Sequence, residues 1–155
     1  MDRLQKTALI VAAVVTLTLV SAFVILSVVL VRLHSAAERA GNEAATIQNV
    51  KTICAVETQY FSNNRTFATL DQLVKEQSLS SKFAAHPLVV DGYALKLVIK
   101  SNPTSSVSSF SLTADPLSDS TGTTHYYLES TCGDIHVNRA APAGPNDALL
   151  DHAEF

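Results

Sequence analysis

One uninterrupted apolar run near the start of the chain limits what this protein can fold into. Residues 7–31 contain no charged residue, no glycine and no proline over 25 positions. At about 1.5 Å of rise per residue, a helix of this length crosses a bilayer core of roughly 30 Å. The apolar part of a signal peptide is shorter, at about 7–15 residues. The run therefore predicts a retained transmembrane helix over residues 7–32, after a short leader or cytoplasmic segment over residues 1–6. Cleavage at the small residues 35–37 is the alternative.

The orientation of this helix follows from the rest of the chain more than from its flanks. Arg3 and Lys6 precede the run, and Arg32 and Arg39 follow it, so the basic residues on the two sides nearly balance. The following domain carries two cysteines and a Ser/Thr-rich surface, which suit an oxidising compartment. We therefore expect a single-pass protein of the inner membrane whose C-terminal domain is periplasmic or extracellular.

The helical pattern continues beyond the apolar run. From residue 33 to residue 61 there is no proline, and alanine and other good helix formers dominate. Apolar residues recur at spacings of three and four, which predicts a helix with one apolar face up to about residue 61. The positions that we expect to pack on a sheet are Ile47, Val50, Ile53 and Tyr60.

The second half of the chain changes to the period of β-strands. A short helix over Leu70–Gln77, capped by Thr69, comes first. Alternation then predicts three or four strands of an antiparallel sheet, with Leu95, Leu97, Phe110 and Leu112 on the face toward the helix. The predicted strands are Tyr93–Lys100, Val107–Ala114, Thr124–Glu129 and Ile135–Asn138, with a turn-rich connector from Asp115-Pro116 onward.

These elements predict an α+β domain over residues 33–138, in which the long helix packs on a sheet over residues 92–138. The remaining tail, residues 139–155, is rich in Ala, Pro and Gly in its first part. We expect this tail to be loose or to form a short helix.

Short motifs occur in a fixed order from residue 39 to residue 138. They are Arg39-Ala40-Gly41-Asn42-Glu43-Ala44 with Ile47, then Lys51-Thr52-Ile53, Gly92-Tyr93, Phe110-Ser111-Leu112-Thr113-Ala114-Asp115-Pro116, Thr124-His125-Tyr126-Tyr127, and Gly133 with Ile135. In this order and over this length they resemble a bacterial subgroup of the type IV pilin and pseudopilin family. The apolar run differs from that family, because residues 1–31 hold no leader glycine, no buried glutamate and no kinking proline.

The resemblance implies a structural subunit that assembles through its N-terminal helix into a type IV pilus, a pseudopilus or a related filament. The implied partners are further copies or other pilin-like subunits, membrane lipid, and a pilus or type II secretion assembly machine. The alternative is a membrane-anchored binding or accessory module with a pilin-like domain that does not polymerise.

The two cysteines, Cys54 and Cys132, lie 78 positions apart, on the predicted helix and at a predicted strand–strand turn. A disulfide between them would join the helix to the sheet, and the alternative is two separate buried thiols. A redox centre is disfavoured, because the chain has no Cys-x-x-Cys motif.

No pattern in the sequence points to catalysis. The five histidines, His34, His86, His125, His136 and His152, form no HxH or HExxH set, although His125 and His136 fall on adjacent predicted strands. There is no Gly-rich phosphate loop and no nucleophile elbow. The net charge of −3 gives little support to nucleic-acid binding. We expect no enzyme activity, no cofactor and no metal.

Overall fold

The computed structural model describes residues 2–100 and 108–150. The chain divides into two compact units, Met1–Ala37 and Glu38–Phe155. The helices are α1 (Arg3–Asn64) and α2 (Leu70–Lys75), followed by a single 3₁₀ turn at Ser81–Phe83. The strands are β1 (Val89–Val90), β2 (Tyr93–Lys100), β3 (Ser109–Pro116), β4 (His125–Glu129), β5 (Ile135–Asn138) and β6 (Ala148–Leu149).

The predicted α+β class is confirmed. The six strands form one sheet in the order β1-β2-β3-β4-β5-β6, and every neighbouring pair is antiparallel. The sequence predicts three or four strands, and the four longer ones, β2 to β5, correspond to them. The two additional strands lie at the sheet edges and contain two residues each. A segment that short carries no period-two pattern, which explains why the sequence does not indicate it.

The last strand corrects the prediction of a loose or helical tail. Asp147 organises the loop that leads into β6: its carboxylate accepts hydrogen bonds from the Asn138 side chain at 3.0 Å and from the Gly144 amide at 2.7 Å. These bonds close the loop against β5, so Ala148 pairs with Val137. Residues 151–155, including His152, lie outside the described residues.

Strand β3 also differs in its bounds from the corresponding predicted strand, Val107–Ala114. It ends at Pro116 instead of Ala114, and Val107 lies outside the described residues. Asp115 is therefore a strand residue opposite β4, and its carboxylate oxygen lies 2.6 Å from Nδ1 of His125. The Leu117 amide then donates to the Gly92 carbonyl at 3.0 Å, which closes this end of the sheet.

Helix α2 begins where the sequence predicts and ends two residues earlier, at Lys75. Thr69 is its N-cap: the hydroxyl oxygen accepts from the Gln72 amide, and the Gln72 side chain accepts from the Thr69 amide. This reciprocal pair satisfies two amides that the first turn leaves without helical partners. The capping box therefore fixes the start of α2 at Leu70.

The core of the second unit lies between one face of α1 and one face of the sheet. Ile47, Val50 and Ile53 of α1 are buried, as are Leu112 of β3 and Tyr126 of β4. Burial of a large aliphatic side chain contributes about 1.5–3 kcal/mol, so this face accounts for much of the stability of the unit. Because the helix contributes only every third or fourth residue to it, the opposite face of α1 stays exposed, for example at Lys51 and Thr52.

Candidate functional site

The first unit presents exposed apolar side chains along α1. Leu17 and Phe23 are each 71% exposed, and Leu30 and Val31 are likewise exposed. Among the described residues, α1 is the one helix that is long and apolar enough to cross a membrane. We refer to residues 7–31 as the apolar segment.

Three hydroxyl groups of the apolar segment, those of Thr18, Ser21 and Ser27, are satisfied within the helix. Thr18 donates to the Val15 carbonyl at 2.8 Å, and Ser27 donates to the Phe23 carbonyl at 2.8 Å. Ser21 makes the same kind of bond to the carbonyl three residues before it, at 2.9 Å. An unsatisfied hydroxyl is costly in hydrocarbon, so these bonds suit a helix surrounded by lipid or by other apolar helices.

The part of α1 in the second unit is fixed to the sheet by polar contacts as well as by its apolar face. Asn42 donates to the Thr121 carbonyl at 3.1 Å. The Glu43 carboxylate accepts from the Thr123 amide at 2.8 Å and from the Thr123 hydroxyl at 3.2 Å. The Asn-Glu pair of the first motif therefore holds the loop between β3 and β4 against the helix.

A second polar cluster holds the turn between β1 and β2. Asn49 is buried; its amide nitrogen donates to the Asp91 carboxylate at 2.8 Å, and its oxygen accepts from the Lys82 ammonium at 2.7 Å. Lys82 and Asp91 are also 3.7 Å apart. Gly92 follows with a φ of +77°, a left-handed conformation that glycine adopts without strain, and a Cβ there would come within 2.8 Å of Thr121.

The disulfide that the sequence leaves open is present. Cys54 and Cys132 are bonded, with their Cα atoms 5.9 Å apart. The bond connects α1 to the turn between β4 and β5. Together with the two polar clusters it gives three connections between helix and sheet, which lie on α1 at residues 42–43, 49 and 54.

All eight residues that the sequence places in the helix–sheet core belong to it or pack against it. Ile47, Val50, Ile53, Leu95, Phe110 and Leu112 are buried, whereas Tyr60 and Leu97 are partly buried and pack against the same cluster. Besides His125, two histidines contact acidic or carbonyl groups: Nε2 of His86 lies 2.9 Å from the Asp71 carboxylate, and Nδ1 of His136 lies 2.9 Å from the Asp147 carbonyl. Within residues 2–100 and 108–150, no group of three or more His, Cys, Asp or Glu side chains is placed to hold a metal.

Glu57 is an acidic residue inside the core. Its side chain is fully buried on α1, and Oε2 accepts from the Ala68 amide at 3.0 Å. Among the described residues, no hydrogen-bond partner faces Oε1. Burial raises the pKa of this carboxyl from 4.5 to about 7, and the bond from Ala68 opposes the shift. Glu57 lies three residues after Cys54 and four residues after Ile53, so it falls on the apolar face of α1. This helical spacing is the feature of the sequence that predicts its burial.

The raised pKa makes stability depend on pH. Folding favours the protonated form of Glu57, so this stabilisation is complete below pH 4.5 and is lost as the pH rises toward and through 7. We expect Glu57→Gln, which stays uncharged, to make the protein more stable than wild type at pH 8 and to change little at pH 5. Urea unfolding of the full chain in detergent micelles, followed by tyrosine fluorescence, measures the difference.

The control for this experiment is Glu76→Gln, since Glu76 is exposed at the end of α2. We expect its unfolding curve to follow wild type at both pH values. An equal difference between Glu57→Gln and wild type at pH 5 and pH 8 would contradict the assignment of a buried, titrating carboxyl.

Comparisons of the chain with protein-family models, with curated proteins and with solved structures gave no match.

Proposed function

We propose that this protein is a pilin-like structural subunit, anchored in the inner membrane by the apolar segment and assembled through it into a type IV pilus, a pseudopilus or a related filament. The observation that carries the proposal is helix α1: its first part exposes apolar side chains, and its second part is the spine of an antiparallel α+β domain. The order of motifs from residue 39 to residue 138 supports the same family.

The apolar segment can contact lipid and neighbouring helices with the same side chains. In a membrane its side chains contact lipid, and in a filament the same side chains contact neighbouring helices. Lipid tails are as apolar as leucine, so the exchange depends on close packing and not on removal of water. The hydroxyls of Thr18, Ser21 and Ser27 are bonded within the helix and need no water as partners.

A subunit that is extracted from a membrane must pass force between its helix and its domain. The connections between α1 and the sheet suit this requirement. Any force applied to α1 reaches the sheet through the core, the Asn42–Glu43 contacts, the Asn49 cluster and the disulfide. Structural disulfides are typical of oxidising compartments, which supports a domain on the periplasmic or extracellular side.

The alternative is a membrane-anchored binding or accessory module that does not polymerise. It is favoured by one feature of the sequence: residues 1–37 contain neither glycine nor glutamate. Type IV pilins use a leader glycine for processing and a glutamate in the apolar run for assembly. In this interpretation the apolar segment remains in lipid and the domain acts alone.

Shearing of surface material from cells that express the protein distinguishes the two functions. We expect the sheared, sedimenting fraction to contain the chain, and mass spectrometry of that fraction to give the mature N-terminus. Phe23→Ala, in the apolar segment, should reduce the sheared amount while the domain stays folded.

The matched control is Leu117→Ala, because Leu117 is also a large, exposed apolar residue, 58% exposed, but belongs to the domain. It should leave the sheared amount unchanged. An intact Met1 together with no sheared polymer would rule out the filament function and leave the anchored module.

A further inference from the structure

Among the described residues, one edge of strand β2 is largely unpaired, and we refer to it as the open edge. On one side it pairs with β3 along its whole length, from Tyr93 to Lys100. On the other side β1 pairs with only its first two residues, and one further bond runs from the Leu95 amide to the Leu88 carbonyl at 3.0 Å. Residue 87, which precedes Leu88, is a proline and has no amide hydrogen with which to extend this pairing.

The backbone groups at this edge can be assigned. The Leu95 amide points away from β3, and alternate residues of an antiparallel strand point their amide and carbonyl groups to the same side. The amides and carbonyls of Leu97 and Ile99 therefore point to the open edge. Within residues 2–100 and 108–150, no backbone group is bonded to them on that side.

A groove runs beside the open edge, and its lining combines apolar residues with polar ones, among them Asp71 and His86. It has a volume of about 360 Å³, and Leu97 and Ile99 are part of its lining. The lining also includes Leu70 of α2 and Phe83 of the 3₁₀ turn. A strand added at the edge would direct every second side chain into this groove, since side chains alternate between the two faces of a sheet.

The alternate positions of β2 carry basic side chains on the other face of the sheet. Lys96 and Lys100 are exposed on it, with Val98 between them. If a second copy paired antiparallel around Val98, Lys96 of each chain would lie opposite Lys100 of the other. Like charges directly opposite one another destabilise a strand pair, whereas opposite charges stabilise it. The edge therefore disfavours self-pairing and favours a partner strand with acidic residues on this face.

We propose that the open edge of β2 binds an extended segment of another protein by strand addition, and that this segment alternates apolar with acidic residues. The apolar side chains fill the groove beside Leu97 and Ile99, and the acidic side chains face Lys96 and Lys100. This interaction surface is separate from the apolar segment and goes beyond the proposed structural role.

A synthetic peptide tests the proposal with the full chain in neutral detergent micelles. The probe is a seven-residue peptide, acetylated and amidated, in which four glutamates alternate with three valines, and the comparison peptide has lysine in place of glutamate. Fluorescence anisotropy should show that the glutamate peptide binds at least about tenfold more tightly at low salt, since two charge pairs differ in sign. Amide exchange measured by NMR should slow at Leu97 and Ile99 when the glutamate peptide is bound.

Two controls separate strand addition from general charge attraction. The variant Lys96→Glu/Lys100→Glu should reverse the preference between the peptides, whereas Lys51→Glu/Lys75→Glu, which changes the net charge equally at exposed helical positions, should not. A glutamate peptide with N-methylated valines should not bind, because in this pairing the valine amides face the edge. No binding, equal behaviour of the two charge variants, or binding that leaves the Leu97 and Ile99 amides unprotected would each overturn the proposal.

Discussion

Reduction of the Cys54–Cys132 disulfide is expected to lower the free energy of unfolding by about 4 kcal/mol. The bond closes a loop with a sequence separation of 78 residues, and in the chain-entropy model a loop of this length restricts the unfolded chain by that amount. Denaturant unfolding of the full chain in micelles, with and without reductant, measures the loss. The chain has four tyrosines and no tryptophan, and all four lie beyond residue 38, so tyrosine fluorescence reports on the second unit.

Two samples separate the stabilisation by the covalent bond from the stabilisation by packing of the sulfur atoms. Reduced wild type keeps both thiols, whereas Cys54→Ala/Cys132→Ala also removes the buried Cys54 sulfur. The double variant should therefore be at least as unstable as reduced wild type, and reductant should not change it further. Equal stability of oxidised and reduced wild type would contradict a stabilising role for the bond.

Gly122→Ala is expected to destabilise the second unit by about 3 kcal/mol, at the upper end of the usual cost of overpacking. Gly122 is buried in the loop between β3 and β4, directly against the fully buried Tyr93 ring. A Cβ at Gly122 would lie 2.8 Å from Cε2 of Tyr93 and closer still to its hydroxyl end, and the ring is fully buried in the core. Unfolding by urea under the conditions above gives the cost.

Gly133→Ala is the matched control, because nothing lies within 4 Å of a Cβ at that position. It should change stability little. In a Tyr93→Leu background the additional cost of Gly122→Ala should shrink, since the two changes share one contact. If Gly122→Ala costs the same in both backgrounds, the clash with Tyr93 is not the cause.

The sequence predicts the fold well where a periodic pattern is long. The 3.6-residue pattern of α1 and the alternation along β2 extend over many residues, so both elements are found with nearly their full bounds. Strand β6 is not predicted, because it contains only two residues and depends on the bonds of Asp147 to Asn138 and Gly144. Such a strand is determined by side-chain contacts of one particular loop and not by propensity.

The features of the candidate site also divide into those that a sequence pattern predicts and those that depend on particular contacts in the fold. The apolar segment and the apolar face of α1 are readable from residue type and spacing alone. The partners of Asn42 and Asn49 are not, since each contact joins residues 33 to 79 positions apart, whereas Cys132 is the one other cysteine in the chain and the sequence names it as the possible partner of Cys54. The burial of Glu57 lies between these cases: its helical position predicts it, whereas its charge argues against it.

Photo-cross-linking at Phe23 in living cells tests the central claim most directly. A benzoylphenylalanine at this exposed, aromatic position of the apolar segment reacts with whatever the helix contacts. Assembly through the apolar segment predicts a ladder of covalent products at multiples of the 16.6 kDa chain, and far fewer products when the same group is placed at Leu117. A monomer band alone, or only a cross-link to lipid, would contradict assembly through this helix.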